Sequence, residues 1–148
     1  MAIQSITFNI IKMATLNPYL TFNGNCKEAM NFYKETLGGE LSMIIAGESP
    51  IAEQMPAKYQ SSVLHSSLKS GDFEIMATDM VPGQFNEGNT VHLCLVCKSE
   101  TEIHSLYKKL STGGKEVQPI HPMFFGLIGT VTDKFGKHWI LELGKESY

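Results

Sequence analysis

Apolar positions recur with helical spacing in two segments of this chain that resemble each other, residues 25–39 and 99–114. In each segment a capping-type residue, Asn25 or Ser99, is followed three positions later by glutamate, and apolar residues then return at intervals of three and four. A Gly-Gly pair closes each segment. Such intervals put the apolar side chains on one helix face, the polar residue and glutamate form a capping-box pattern, and glycine allows the backbone to leave the helix. The pattern predicts two equivalent helices.

Shorter apolar runs surround each predicted helix, one before it and three after it. The predicted strands are residues 19–22, 40–45, 63–69 and 73–78 in the first half, and 91–97, 115–120, 127–132 and 138–143 in the second. A sheet covered by one helix leaves its other face open. We therefore predict an α+β fold of two βαβββ modules that form a curved, cup-like mixed sheet with the helices outside. We also expect a homodimer to complete the cup.

The same pattern divides the chain into parts of one structural domain. Residues 1–13 are predicted to be an N-terminal extension, 14–79 the first module, 80–88 a turn-rich linker and 89–148 the second module. The connection 47–60 is long enough to act as a lid over a cavity. The extension lacks a secretion-signal pattern, and no apolar run approaches the ~20 residues of a membrane span. We therefore expect no membrane partner.

Composition narrows the classes of partner. The formal net charge is −3, so the chain lacks the excess of positive charge that is typical of nucleic-acid-binding proteins. All twelve basic residues are lysines, so the chain lacks the arginine fork that grips phosphate or carboxylate with two hydrogen bonds. An odd number of cysteines, Cys26, Cys94 and Cys97, favours the reducing cytoplasm. Cys94 and Cys97 have CxxC spacing within a predicted strand, where they would point to opposite faces, so we predict buried thiols rather than a zinc or redox pair.

Several stretches resemble the vicinal oxygen chelate superfamily, which includes glyoxalase I, extradiol dioxygenases and bleomycin resistance proteins. Within it the chain resembles the PhnB-like group, also known as 3-demethylubiquinone methyltransferase-like. The resemblance spans about residues 16 to 143. The stretches that carry it are PYLTFNG at 18–24, AMNFY at 29–33, LGG at 37–39, IMATD at 75–79 and VTDKFGKHW at 131–139.

The resemblance implies four metal-ligand slots facing into the cup, which fall on Pro18, Met76, His92 and Ile140 in this sequence. Only His92 among them can bind a metal, and one histidine does not make a metal centre. An alternative register gives a divalent-metal set of His65, His92 and Glu142. The remaining histidines, His104, His121 and His138, are predicted to be exposed or in loops. Asp79 is predicted to cap a turn, with general base as the alternative.

The resemblance also implies an apolar and aromatic cavity. Its predicted ligand-binding residues are Tyr19, Phe22, His65, Met76, His92, Phe124, Phe125 and Trp139. The first hypothesis is a small-molecule-binding protein of the glyoxalase/bleomycin resistance type, with no cofactor and no complete metal site. The alternative is a divalent-metal-dependent lyase, isomerase or dioxygenase, so whether the protein is an enzyme stays open. A methyltransferase is not predicted, because the sequence has no glycine-rich strand-to-helix loop for a nucleotide-like cofactor.

Overall fold

The computed structural model of the protein describes residues 14–145. The predicted extension 1–13 lies outside the described residues. The first module contains the strands β1 (Tyr19–Thr21), β2 (Glu40–Ile45), β3 (Val63–Ser70) and β4 (Phe73–Thr78), with helix α1 (Cys26–Leu37) between β1 and β2. The second contains β5 (Leu93–Val96), β6 (Lys115–Met123), β7 (Gly126–Thr132) and β8 (His138–Gly144), with α2 (Glu100–Ser111) between β5 and β6.

The two modules have the same topology, as the sequence repeat predicts. Their strand orders are β1-β4-β3-β2 and β5-β8-β7-β6, and in each sheet the first strand runs parallel to the last while the other pairs are antiparallel. The predicted two-module α+β fold is therefore confirmed. Within the described residues β1 and β5 lie at sheet edges, so the two sheets are not joined by hydrogen bonds between these strands.

Each helix packs one apolar face on its own sheet. The buried residues of α1 are Cys26, Ala29, Met30, Tyr33 and Thr36, and those of α2 are Ile103, Tyr107 and Leu110. Both sets follow the spacing of three and four that predicted the helices. Neither described helix has the length and apolar content that a bilayer crossing requires.

The two glycines of each Gly-Gly pair are required for different physical reasons. Gly38 and Gly113 both have φ of 76°, a backbone region that strains residues with a Cβ. At Gly39 a Cβ would collide with the carbonyl oxygen of Lys69, and at Gly114 with that of Thr132. The first glycine thus turns the chain out of the helix, and the second lets the new strand begin close to its neighbour.

The N-caps of α1 and α2 differ from the two capping boxes that the sequence predicts. Ser99 Oγ accepts a hydrogen bond from the Glu102 N–H at 3.1 Å, as predicted, but the Glu102 carboxylate accepts from Lys98 N–H instead of from the cap residue. Asn25 makes no side-chain cap, so that part of the prediction is wrong. The buried Asp79 carboxylate replaces it: Oδ1 accepts from Gly24 N–H at 2.9 Å and Cys26 N–H at 3.0 Å, and Oδ2 accepts from Val63 N–H at 2.8 Å. Asp79 therefore caps backbone N–H groups, but at the start of α1 and not in a local turn as predicted.

A second buried carboxylate joins the two modules. Asp133, only 3% exposed, accepts from the Tyr33 hydroxyl of α1 at 2.6 Å and from Trp139 Nε1 at 2.8 Å through Oδ2. Its Oδ1 accepts from the N–H groups of Phe135 and Lys137. Burial raises the pKa of Tyr33 far above its ordinary value, and the Asp133 charge raises it further, so the phenol remains a proton donor. The rings of Tyr33 and Trp139 meet edge to face at 5.4 Å.

Candidate functional site

Two neighbouring cavities lie between the segment that contains β1 and the segment that contains β5. The first, which we call the apolar cavity, lies beside Trp139 and residues 91–95 and has a volume of about 450 Å³. The second has a volume of about 420 Å³, and we call it the strap cavity because residues 81–87 of the linker run along it. Both are lined by Val91 and Leu93, so these two residues form a shared wall. Both cavities are therefore lined by residues of both modules.

Among the described residues, no lysine, aspartate or glutamate lines the apolar cavity. Residues 16–18, Phe73, Ile75, 91–95 and Trp139 line it. Asn17, His92 and Cys94 are its polar members. Trp139 forms part of the wall, although only 1% of its surface is exposed. Its indole N–H donates to the Asp133 carboxylate. A cavity with an aromatic wall and few polar groups favours an uncharged ligand.

The strap cavity is polar at one end and is covered by the linker between the modules. Residues 81–87, apart from Gly83, line it together with residues 19–21 and 136–138. Lys137 Nζ lies 2.9 Å from Glu87 Oε1 and 2.8 Å from the Thr21 carbonyl oxygen. His138 donates from Nε2 to the Gly88 carbonyl oxygen at 3.0 Å, since a carbonyl can only accept, and its Nδ1 accepts from the Thr132 hydroxyl at 2.8 Å. These bonds tie the linker to the second sheet.

Residues 47–60, which the sequence predicts to be a lid, do not cover either cavity. In the structure this segment forms three single turns of 3₁₀ helix, Ala46–Glu48, Ala52–Gln54 and Ala57–Tyr59, and lines neither cavity. Gln60 fixes it from within, because its Nε2 donates to the Ala52 and Met55 carbonyl oxygens, each at 2.8 Å. The linker covers a cavity instead.

The structure brings only part of the predicted ligand-binding set together. His92 and Trp139 line the apolar cavity, and Tyr19 lines the strap cavity. The Tyr19 hydroxyl lies 3.2 Å from His65 Nδ1. Met76, on β4, is in register with Tyr19 but lines neither cavity.

The three predicted phenylalanines lie elsewhere. Phe22 is packed in the core at 1% exposure, with Lys137 Nζ 4.6 Å from its ring centre. Phe124 and Phe125 occupy the turn between β6 and β7, with their rings edge to face at 5.3 Å, and Phe124 is 82% exposed. None of the three lines the apolar or the strap cavity.

The alternative metal set is not assembled. The described part of the chain has no group of three histidine, cysteine, aspartate or glutamate side chains placed to hold a metal. His65 belongs to the first sheet and Glu142 to the second, whereas His92 lies just before β5. His92 does lie beside His138, with ring centres 5.5 Å apart, but both nitrogens of His138 already have partners. These residues do not fit a divalent-metal centre.

Sequence reasoning missed the residues that shape the strap cavity. His138 was predicted to be exposed or in a loop, yet it begins β8 and is half-buried; His121 likewise lies in β6, whereas His104 is exposed on α2 as predicted. Lys137 lies in the quoted TDKFGKHW stretch, but its contact with Glu87 spans fifty positions along the chain.

The burial of the cysteines was predicted only in part. Cys94 is exposed, contrary to the predicted buried thiol, whereas Cys26 and Cys97 are buried.

Comparison with known proteins gives the same architecture. The 3-demethylubiquinone-9 3-methyltransferase family model matches residues 14–141. The protein YjdN from Escherichia coli is 31% identical over 141 residues, covering 88% of this chain and 96% of its own. The crystal structure of PA1353 from Pseudomonas aeruginosa is 34% identical with a TM-score of 0.80, covering 90% of this chain and all of that one. The PhnB protein from Bacillus cereus is 28% identical with a TM-score of 0.72, covering 88% and 100%.

A more distant structure shows the fold. A glyoxylase/bleomycin resistance protein/dioxygenase domain from Frankia is 17% identical with a TM-score of 0.63, covering 93% of this chain and 96% of its own. The resemblance drawn from the sequence is therefore confirmed. The chain belongs to the 3-demethylubiquinone-9 3-methyltransferase family, the PhnB-like group of the glyoxalase/bleomycin resistance/dioxygenase fold.

Proposed function

We propose that this protein binds a small, largely apolar organic molecule in the apolar cavity. The observation that supports this most directly is the wall formed by Trp139, Ile75 and residues 91–95, which has no charged member. Burying apolar surface contributes about 25 cal/mol per Å². The binding would work by shape and burial, with no metal and no organic cofactor.

The arrangement around α1 supports binding without a nucleotide-like cofactor. Such cofactors place a phosphate or carboxylate at the free N–H groups of a helix start. Here the Asp79 carboxylate already accepts from Gly24 and Cys26 N–H at the start of α1. A second anion there would meet a buried like charge. We therefore propose that the chain does not bind S-adenosylmethionine, despite the name of its family, and calorimetry showing one-to-one binding would overturn this.

We further propose that the protein is a homodimer. In the part of the chain that the structure describes, β5 is a sheet edge. Val96 on this strand and Val91 just before it are 69% and 76% exposed. Leu16, in the segment that leads into β1, is 97% exposed. An unpaired apolar edge is a liability unless something covers it. Sedimentation equilibrium should give twice the 16.4 kDa of one chain. Val96→Lys should lower that mass, whereas Phe124→Lys, at an 82% exposed position in the turn between β6 and β7, should not.

The proposed location is the cytoplasm. Cys26, Cys94 and Cys97 are all free thiols, and Cys94 is exposed. An exposed thiol persists where the surroundings are reducing. Fractionation of the source cells, with detection by an antibody against the protein, tests this: recovery from an oxidising compartment would contradict it.

Binding of a neutral fluorescent probe tests the proposed function. N-phenyl-1-naphthylamine is uncharged and becomes bright in apolar surroundings. Energy transfer from Trp139 locates it, because the chain has a single tryptophan. We expect saturable one-per-chain binding with transfer from Trp139. Cys94→Phe, which fills the cavity, should weaken binding at least tenfold, whereas Val117→Phe, on β6 and outside the lining, should not. Equal binding by both variants would contradict the proposal.

A further inference from the structure

The two cavities differ in chemistry although they share a wall. Among the described residues, the lining of the apolar cavity has no lysine, aspartate or glutamate, whereas that of the strap cavity contains Lys137 and Glu87, together with His138 and the amides of Gln84 and Asn86. Val91 and Leu93 line both. A site that is apolar on one side of these residues and offers charged and amide groups on the other is complementary to a molecule with an apolar part and a polar part.

The charges of the strap cavity nearly cancel. Lys137 Nζ is paired with Glu87 at 2.9 Å, and it also donates to the Thr21 carbonyl oxygen at 2.8 Å. The cation also lies over two aromatic rings, 4.6 Å from the centre of Phe22 and 5.7 Å from that of Phe85. An ion entering this cavity would be repelled by one member of the pair about as strongly as it is attracted by the other. A polar group without net charge can use both.

We infer that the natural ligand is an amphiphile whose apolar chain lies in the apolar cavity and whose polar head, carrying no net charge, lies in the strap cavity. This inference rests on the proposed function, because it assigns the ligand class of the same site. Val91 lies between the two parts, because it lines both cavities. The linker, held by Glu87 and Gly88, covers the head.

A matched series of amphiphiles, used below their micelle concentrations, tests the head. The probes are dodecylphosphocholine, dodecyl sulfate and dodecyltrimethylammonium, with dodecane-saturated buffer as the headless comparison, and Trp139 fluorescence is the readout. We expect dodecylphosphocholine to bind at least tenfold more tightly than either charged analogue. Shortening its chain by two methylenes should weaken binding roughly tenfold, as methylene burial requires.

A charge substitution provides the sharper control. Glu87→Gln leaves the Lys137 charge uncompensated, so the preference should shift towards dodecyl sulfate by tenfold or more. Glu35→Gln removes the same charge from an exposed position on α1, outside both cavities, and should shift nothing. An unchanged preference in Glu87→Gln would place the head elsewhere and overturn the inference.

Brominated chains test the orientation, because bromine quenches an indole only at close range. Phosphocholine probes brominated at the chain end should quench Trp139, and probes brominated beside the head should not. The reverse result, or equal quenching, would overturn the inferred orientation. If N-phenyl-1-naphthylamine binds but the head adds no affinity, the amphiphile inference fails and the proposed function stands; if neither probe class binds, both fail.

Discussion

The Tyr33–Asp133 contact gives the sharpest test of how the two modules are held together. Tyr33 is fully buried, and its hydroxyl donates to the Asp133 carboxylate at 2.6 Å across a hundred positions of the chain. A hydrogen bond to a charged group contributes about 1.5–3 kcal/mol to stability. Tyr33→Phe removes that donor and leaves the ring in place. Asp133 keeps three donors, Trp139 Nε1 and two backbone N–H groups, so it remains a satisfied buried carboxylate.

The sequence repeat supplies a matched control for this substitution. Tyr107 stands at the same place in α2, eight residues past the cap, and its hydroxyl donates to the neutral Gln118 carbonyl oxygen at 3.0 Å. Tyr107→Phe should therefore cost only about 0.5–1.5 kcal/mol. Urea unfolding followed by circular dichroism, at fixed protein concentration, measures both variants. With a slope of about 2 kcal/mol per molar urea, the Tyr33→Phe midpoint should fall by about 1 M. A loss no larger than that of Tyr107→Phe would refute the reasoning.

Three further predictions concern the backbone, the thiols and metals. Gly39→Ala should lower the free energy of unfolding by more than 2 kcal/mol on urea titration, whereas Gly38→Ala, whose Cβ would meet nothing, should cost about 1–2 kcal/mol; equal losses would contradict the close approach to Lys69. Burial raises the pKa of Cys26 from 9.0 to about 12. The folded thiol keeps its proton above pH 9 while the unfolded thiol loses it. Stability contributed by this group should therefore fall by about 1.4 kcal/mol per pH unit from pH 9 towards 12, and denaturation at pH 8.5 and 10.5 should show a shallower fall in Cys26→Ala. Chelator-treated protein titrated calorimetrically with Zn²⁺, Ni²⁺, Mn²⁺ or Fe²⁺ should show no tight one-per-chain site, and a site abolished by His92→Ala would restore the metal-dependent alternative.

Local signals predicted the fold well because they depend on neighbouring residues. The periodicity of residues 25–39 and 99–114 and the two Gly-Gly pairs are sufficient to define both modules. The boundaries of β2 and β4 match the structure, and the ends of the other strands differ by a few residues. Asp79 was assigned a capping role because it follows a strand, but its contacts with residues 24 and 26 depend on where β4 ends relative to α1.

The candidate site was harder to predict because it depends on how the modules meet. Phe22 and Trp139 are both aromatic; Phe22 follows β1 and Trp139 is the second residue of β8. Of the two, only Trp139 lines one of the two cavities. Nothing in the alternation of residues 131–139 indicates that Lys137 reaches across to Glu87 in the linker. The strap cavity is made by these long-range contacts, so no local pattern encodes it.

A crystal structure of the protein with 1-bromonaphthalene, a neutral apolar molecule, would examine the binding site most directly. The anomalous signal of bromine marks its position without reference to the rest of the density. We expect one bromine peak per chain in van der Waals contact with Trp139 and residues 91–95. Bromine confined to other surfaces, or an ion held by three side chains in that space, would contradict ligand binding by apolar burial.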